Sequence, residues 1–403
     1  MATTRKKTLA TRRNADIRRM PDRSGPAGTS AKAVAGRRVA RFGAAGLGFA
    51  VLALASGAAS AQSVQLYGAI DTGLEYVTHA NAAGNGVLRM PTVTGGLMAS
   101  RWGLRGQEDL GDGLKASFAL ESGFGTDNGV QGQGGRLFGR QAWVALGSRL
   151  GQLTFGRQYN ATLYAIGDAD VMGPAVYGLG SLDSYIPNTR SDNAIGYRGT
   201  YDAFTTVLTY SLGRDVSAAG GPAATNCAGE RADDRKACRQ VAGTLKYDTR
   251  GGGLAIGYDQ LRGGPNASGL SASDRTDTRQ LLTGYLKLGQ LKLGAGWIAR
   301  STRAASKSDS DLYFLGASYP LTTAWTIDAE VARLRTSIDN GKSTLAAARA
   351  TYAVSKRTAV YGLAGFIDNN AGANLSVSGG QALSGLPYGV NQAGVMAGMR
   401  HLF

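Results

Sequence analysis

The amino-acid sequence predicts an all-β chain, a transmembrane antiparallel β-barrel of about sixteen strands. Three observations carry this. Short segments of strictly alternating polarity recur along the chain, and each is about nine to eleven residues long, the length a tilted strand needs to cross a bilayer. The connections between them alternate between tight turns and long polar loops. The composition is polar for a membrane protein, with 60 Gly, 9 Pro and 43% hydrophobic residues among 403, and beyond the N-terminal region no run approaches the about 18 apolar residues of a spanning helix. A closed barrel tolerates this, because its backbone N–H and C=O groups are paired between strands and need no water.

The chain opens on a basic leader. Residues 1–61 hold 12 Lys and Arg against 2 Asp, whereas the remainder holds 32 basic and 26 acidic residues, so the formal +16 falls to +6 once this segment is set aside. No concentrated basic stripe is left, and a nucleic-acid partner is not expected. From Phe42 to Ala59 the sequence is uncharged, follows Arg37, Arg38 and Arg41, and ends in Ala59, Ser60 and Ala61. That is the plan of a secretory signal, with cleavage expected after Ala61 and a single barrel domain over 62–403.

In the first strand Val64, Leu66, Ile70, Leu74 and Tyr76 fall on one face, and Gln65, Asp71 and Glu75 on the other. Leu114, Ala116, Phe118 and Leu120 repeat the pattern against Lys115, Ser117 and Glu121, as do Trp325, Ile327, Ala329 and Val331 against Thr326, Asp328 and Glu330. Turn signals stand at 109–113, 148–151, 289–290 and 355–357, and long loops at 78–96, 123–135 and 369–391. Sixteen strands enclose an aqueous lumen, where about eight would be filled by side chains. Tyr76, Tyr197, Tyr210, Tyr247, Tyr258 and Tyr319 lie near strand ends, as an interfacial aromatic girdle requires. The only two cysteines, Cys227 and Cys238, share a polar segment. In an oxidising compartment they are expected to form a disulfide, worth about 2–3 kcal/mol on the chain-entropy model.

The runs VQLYGAIDTGLEYV, SRWGLRGQEDLGDGLKASFALESGFG and LFGRQAWVALGSRLGQLTFGRQY, with GVMAGMRHLF at the C-terminus, resemble the general, trimeric porins of Gram-negative proteobacteria over essentially the whole of 62–403. The resemblance implies a homotrimer in the outer membrane, passing ions and small hydrophilic solutes by passive diffusion. It also implies a third loop folded into the pore as its constriction. Residues 159–189 occupy that loop's position and carry Asp168, Asp170 and Asp183, which the family plan sets opposite basic wall residues. Matched motif by motif, those are Arg101, Arg105, Arg140, Arg157 and Arg190. Arg101 and Arg105 have the parity of Gln107 and so face water, whereas Arg157 shares parity with Leu153 and Phe155 and needs a bulge or a strand end to turn inward. The terminal Phe403 resembles the recognition signal read by barrel-assembly machinery, although His401 stands where such signals more often carry Tyr. Net charge and these arginines together lead us to expect a lean toward anions.

Other functions find little support. His79 and His401 are the only histidines, and neither has the Ser and acidic neighbours of a nucleophilic site. No metal-ligand spacing or phosphate-cradling motif stands out, and no cofactor is expected. The competing class is a barrel acting mainly as an adhesin or receptor through its outer loops, which a conductance measurement separates from a channel.

Overall fold

The computed structural model describes residues 64–403 apart from 92–93, 214–226, 266, 268, 380–382 and 384. The expected signal segment lies outside the described residues. Sixteen antiparallel strands form the wall. In chain order they are β1 Gln65–Val77, β2 Arg101–Gly111, β3 Leu114–Gly123, β4 Gln141–Ser148, β5 Gly151–Tyr159, β6 Ala194–Tyr201, β7 Phe204–Ser211 and β8 Gln240–Asp248. They continue with β9 Gly252–Arg262, β10 Thr276–Leu288, β11 Leu291–Arg303, β12 Lys307–Pro320, β13 Trp325–Thr336, β14 Lys342–Ala353, β15 Thr358–Asn369 and β16 Gln392–Leu402. Two short pieces, Val87–Arg89 and Arg190–Ser191, pair with the ends of β1 and β5. Each strand pairs with its sequence neighbours, and β16 closes the circle on β1 with Asp71 opposite Arg400. No strand is left as an edge, which is the condition for burying backbone in lipid.

Period-two alternation assigns every wall residue to lipid or lumen. Leu66, Ile70, Leu74 and Tyr76 are among the exposed large hydrophobics, whereas Asp71 and Glu75 on the other face are buried inside. All six girdle tyrosines point outward by register. Turn chemistry sets that register. Asp112 and Gly113 both have positive φ, 51° and 80°, between the paired Gly111 and Leu114, as a two-residue type I′ hairpin demands.

At the seam Phe403 exchanges backbone hydrogen bonds with Gly68, N–H to carbonyl at 3.1 and 2.9 Å. Its ring lies where a Cβ on residue 68 would be, 2.3 Å away. Gly68→Val should therefore displace the ring and lower the yield of folded, heat-modifiable barrel. A Cβ there would also lie 2.8 Å from the Arg101 carbonyl oxygen, so the strain does not rest on the ring alone; an unchanged yield in Gly68→Val would show that the seam accommodates a side chain at this position.

The lumen does not hold water alone. The third loop, residues 160–193, follows the inner face of the wall from β8 round to β16. Asn160 caps its helix α1 (Ala161–Ile166), accepting from the Thr162 N–H at 3.1 Å. Thr244 donates to the Ala161 carbonyl at 2.7 Å, Thr162 to Asp259 at 2.7 Å, and Thr283 to the Ala165 carbonyl. Farther along, Arg349 of β14 donates to the carbonyls of Met172 (3.0 Å), Val171 (3.2 Å) and Gly96 (3.1 Å) while pairing with Asp328 at 2.8 Å. The apolar core sits here. Ile166, Met172, Val176, Tyr177 and Leu179 of the loop pack on inward-facing Leu281, Ile298, Phe314, Leu345 and Ile367. Gly294 of β11 makes this possible, since a Cβ there would fall 1.8 Å from the Ala169 carbonyl oxygen. Among the outer loops, Cys227 and Cys238 form a disulfide with Cα atoms 5.3 Å apart, packed with Ala237 against Ala267 and Leu270 of the next loop.

Candidate functional site

Between the third loop and the wall formed by β2–β5 lies a cavity of about 450 Å³. On the wall side Arg101 is the first residue of β2, and Glu121 stands on β3 in the neighbouring inward row, opposite Gly103 and Gln141. Arg140 precedes β4, so its side chain is free of strand parity and turns inward. Its Nε donates to Glu121 at 2.6 Å, and Arg101 approaches the other carboxylate oxygen at 3.5 Å. Tyr67 donates to that same oxygen at 3.0 Å. A terminal nitrogen of Arg140 donates to the Tyr159 hydroxyl at 2.7 Å, and Arg190 donates to it at 3.1 Å while lying 4.6 Å over the tyrosine ring. Among the described residues Arg190 has no carboxylate within ion-pair distance, and its Nε is buried without a partner. Burial and the nearby Arg140 bring its pKa down to about 10 against the opposing pull of Tyr159, so the guanidinium is still cationic at neutral pH.

The structure brings Arg101, Arg140 and Arg190 together on this cavity, and Asp170 onto its loop side. Arg105 stands lower on the lumen wall, its Nε donating to Gln65 at 2.9 Å and its guanidinium 4.9 Å over Tyr67. Arg157 keeps its outward parity. Its guanidinium turns at the strand end to the Gly139 carbonyl at 2.7 Å and pairs with Asp192, away from the cavity. Tyr159, the first residue of the expected loop, instead pairs with Arg190, so the loop proper begins one residue later.

The three loop acids have different surroundings. Asp168 pairs with Lys246 of β8. Asp183 accepts from Arg279 of β10 at 2.9 and 3.0 Å. Burial by itself would raise the Asp183 carboxyl, but Arg279 and Arg300 outweigh it and hold it below the ordinary carboxylate range. Asp170 goes the other way. Burial raises its carboxyl, against a hydrogen bond from the Gly173 N–H at 2.7 Å and the field of Arg349, in a pocket it shares with the Glu330 carboxyl. So Asp183 serves as an anchor, and the acid facing the cavity is one that resists ionising.

Glu121, Tyr159, Lys246 and Arg349 belong to this arrangement and were not singled out from sequence. One signal was available: Gly294, Gly316, Gly365 and Gly394 interrupt strands at inward positions, and glycine inside a strand marks a close backbone approach.

A family model described as Gram-negative porin matches residues 48–372. An outer membrane porin protein of Bordetella pertussis is 37% identical over 68% of this chain and 71% of its own length. Outer membrane porin protein 32 of Delftia acidovorans is 32% identical over 89% of this chain and 99% of its own. Among solved structures, an anion-selective porin from Comamonas acidovorans superposes with a TM-score of 0.67 at 24% identity, covering 85% of this chain and 100% of that one. The trimer form of OmpT from Vibrio cholerae does so with 0.61 at 15% identity, covering 85% and 99%.

Proposed function

The chain belongs to the Gram-negative porin family, an outer-membrane β-barrel without enzymatic activity, and from that premise we propose that it passes ions and small hydrophilic solutes by passive diffusion, leaning toward anions. The observation that carries the lean is the charge lining the narrow cavity: Arg101, Arg140 and Arg190 against Glu121 and Asp170. Three guanidiniums against two carboxylates leave the balance cationic inside a partly enclosed cavity, where screening by salt is weak. An anion-selective porin among the structural neighbours supports the same reading. Assembly as a homotrimer is part of the proposal, and a trimeric form among those neighbours supports it.

The test is the zero-current potential of the purified protein in a planar bilayer across a KCl gradient. A sign reporting cation preference would overturn the lean, and absence of conductance would overturn the channel. The pH dependence has a definite sign. Because burial raises the Asp170 carboxyl, it takes up its proton at higher pH than a free aspartate, so anion preference should grow as pH is lowered. One charge about 7 Å from the passing ion at water-like dielectric is worth roughly 0.6 kcal/mol, so the change should reach about threefold in the permeability ratio. Asp170→Asn should flatten this profile at its low-pH value.

A further inference from the structure

We propose that the lumen wall on the turn-side of the narrow section carries a binding subsite for aromatic carboxylates. Of the four tryptophans, Trp102, Trp297 and Trp325 take the outward register positions expected of lipid-facing residues. Trp143 faces the lumen, in one inward row running Gln65, Arg105, Ala119, Trp143, Gly156 across β1–β5. Its ring is half-buried, and the apolar surface it still presents to the passage costs free energy unless something covers it. The indole is held in place, since its Nε1 donates to Gln141 at 2.9 Å. It borders two hollows, of about 600 and 190 Å³.

Between Trp143 and Arg105 the wall of the larger hollow is low, with Ala119 and Ser117 in its lining. Ala119 separates Trp143 from Arg105, and Ser117 lies in the next inward row. Two strands set Trp143 and Arg105 about 10 Å apart at the backbone, a span that a fused aromatic ring with its carboxylate can bridge once the long arginine side chain reaches in. Arg105 is pre-oriented by its stack on Tyr67 and its bond to Gln65, and its terminal nitrogens meet no carboxylate among the described residues. Across the second hollow Arg198 is stacked in the same way, 5.0 Å over Tyr164. Neither hollow has an Asp or Glu in its lining. A ring face beside an unpaired guanidinium favours a planar anion; a sugar could use the ring, the glutamines and the guanidinium N–H groups but would leave the positive charge uncompensated.

The subsite depends on the channel reading, and one experiment separates the two. The full-length purified barrel is opened in a bilayer in KCl, and 2-naphthoate, acetate or maltose is added while each trace is scaled to its own KCl conductance. Naphthoate should reduce the current with saturation, and acetate at equal concentration should not. Trp143→Ala should weaken the block about five- to tenfold, with partial recovery in Trp143→Phe, and Arg105→Gln should weaken it as well. The lipid-facing neighbour variant Val144→Ala should keep the wild-type block. Equal block by acetate, an unchanged block in Trp143→Ala, or block by maltose in place of naphthoate would overturn the subsite while KCl conductance left the channel standing; loss of KCl conductance in the wild type would overturn the channel itself.

Discussion

Replacing Arg101 and Arg140 together with Ser should turn the pore from anion toward cation preference, lowering the anion-to-cation permeability ratio by about tenfold. At roughly 7 Å and a water-like dielectric each lost charge is worth about 0.6 kcal/mol, close to threefold in local ion concentration, and two such losses multiply. The structure adds a further push in the same direction. Both arginines converge on Glu121, so the double variant strips that carboxylate of its cations and leaves it with the Tyr67 hydroxyl. Conductance should hold or rise, because two long side chains leave the narrow cavity. Adding Glu121→Gln should bring the reversal potential back toward the value of free diffusion, which separates the exposed acid from the missing arginines. A double variant whose reversal potential equals that of the wild type would mean that ion selection occurs elsewhere in the passage.

Arg279→Met should loosen the third loop from the wall and lower the heat resistance of the folded barrel by several degrees or more. Arg279 is fully buried and joins Asp183 of the loop to Asp277 of its own strand. Removing Arg279 takes from the buried Asp183 its ion-pair partner, while Asp277 keeps Arg300 at 2.8 Å; breaking a buried pair in this way costs about 3–5 kcal/mol. Its pH dependence follows from the direction of the Asp183 shift. A depressed carboxyl contributes stability that is complete above its unfolded pKa of about 4 and lost as pH falls through the lower folded value. In Arg279→Met the largest pull against burial is lost and only Arg300 and the Tyr185 N–H remain, so the Asp183 carboxyl rises and the deficit should be largest near neutral pH and shrink toward pH 4. Asp183→Asn combined with Arg279→Met should recover part of the loss. Wild-type heat resistance in the single variant would show that the loop is held by its apolar contacts alone.

How far the site could be read in advance depended on where each residue stands relative to a strand. Arg101 and Arg105 lie within β2, where parity alone sends them to the lumen. Arg140 lies just outside a strand and Arg190 in a two-residue piece too short to show alternation, so the periodic signal says nothing about their direction; family resemblance proposed them, and local contacts with Glu121 and Tyr159 turn them inward. Arg157 is inside β5 and its parity was the better guide: it leaves the cavity and pairs at the rim with Asp192. The loop acids carried no periodic signal at all, and similar residues were sorted only by their partners, Lys246 for Asp168, Arg279 for Asp183, and the crowded carboxyl pocket for Asp170.

By itself the sequence determined the barrel, because a strand between lipid and water must alternate with period two, must span about ten residues and must pair on both sides, and all three demands leave marks on neighbouring residues. Turn positions such as Asp112–Gly113 are equally local, since positive φ at both centres favours these residue types. Only the tertiary structure decided that much of the lumen is packed rather than wet. Leu281, Ile298, Phe314 and Leu345 occupy inward positions that alternation reserves for polar groups, and they are satisfied because a loop about 100 or more residues away in sequence lies on them. Contacts of that range leave no periodic trace, and whether an inward leucine meets water or Met172 is settled when the chain closes around its own third loop.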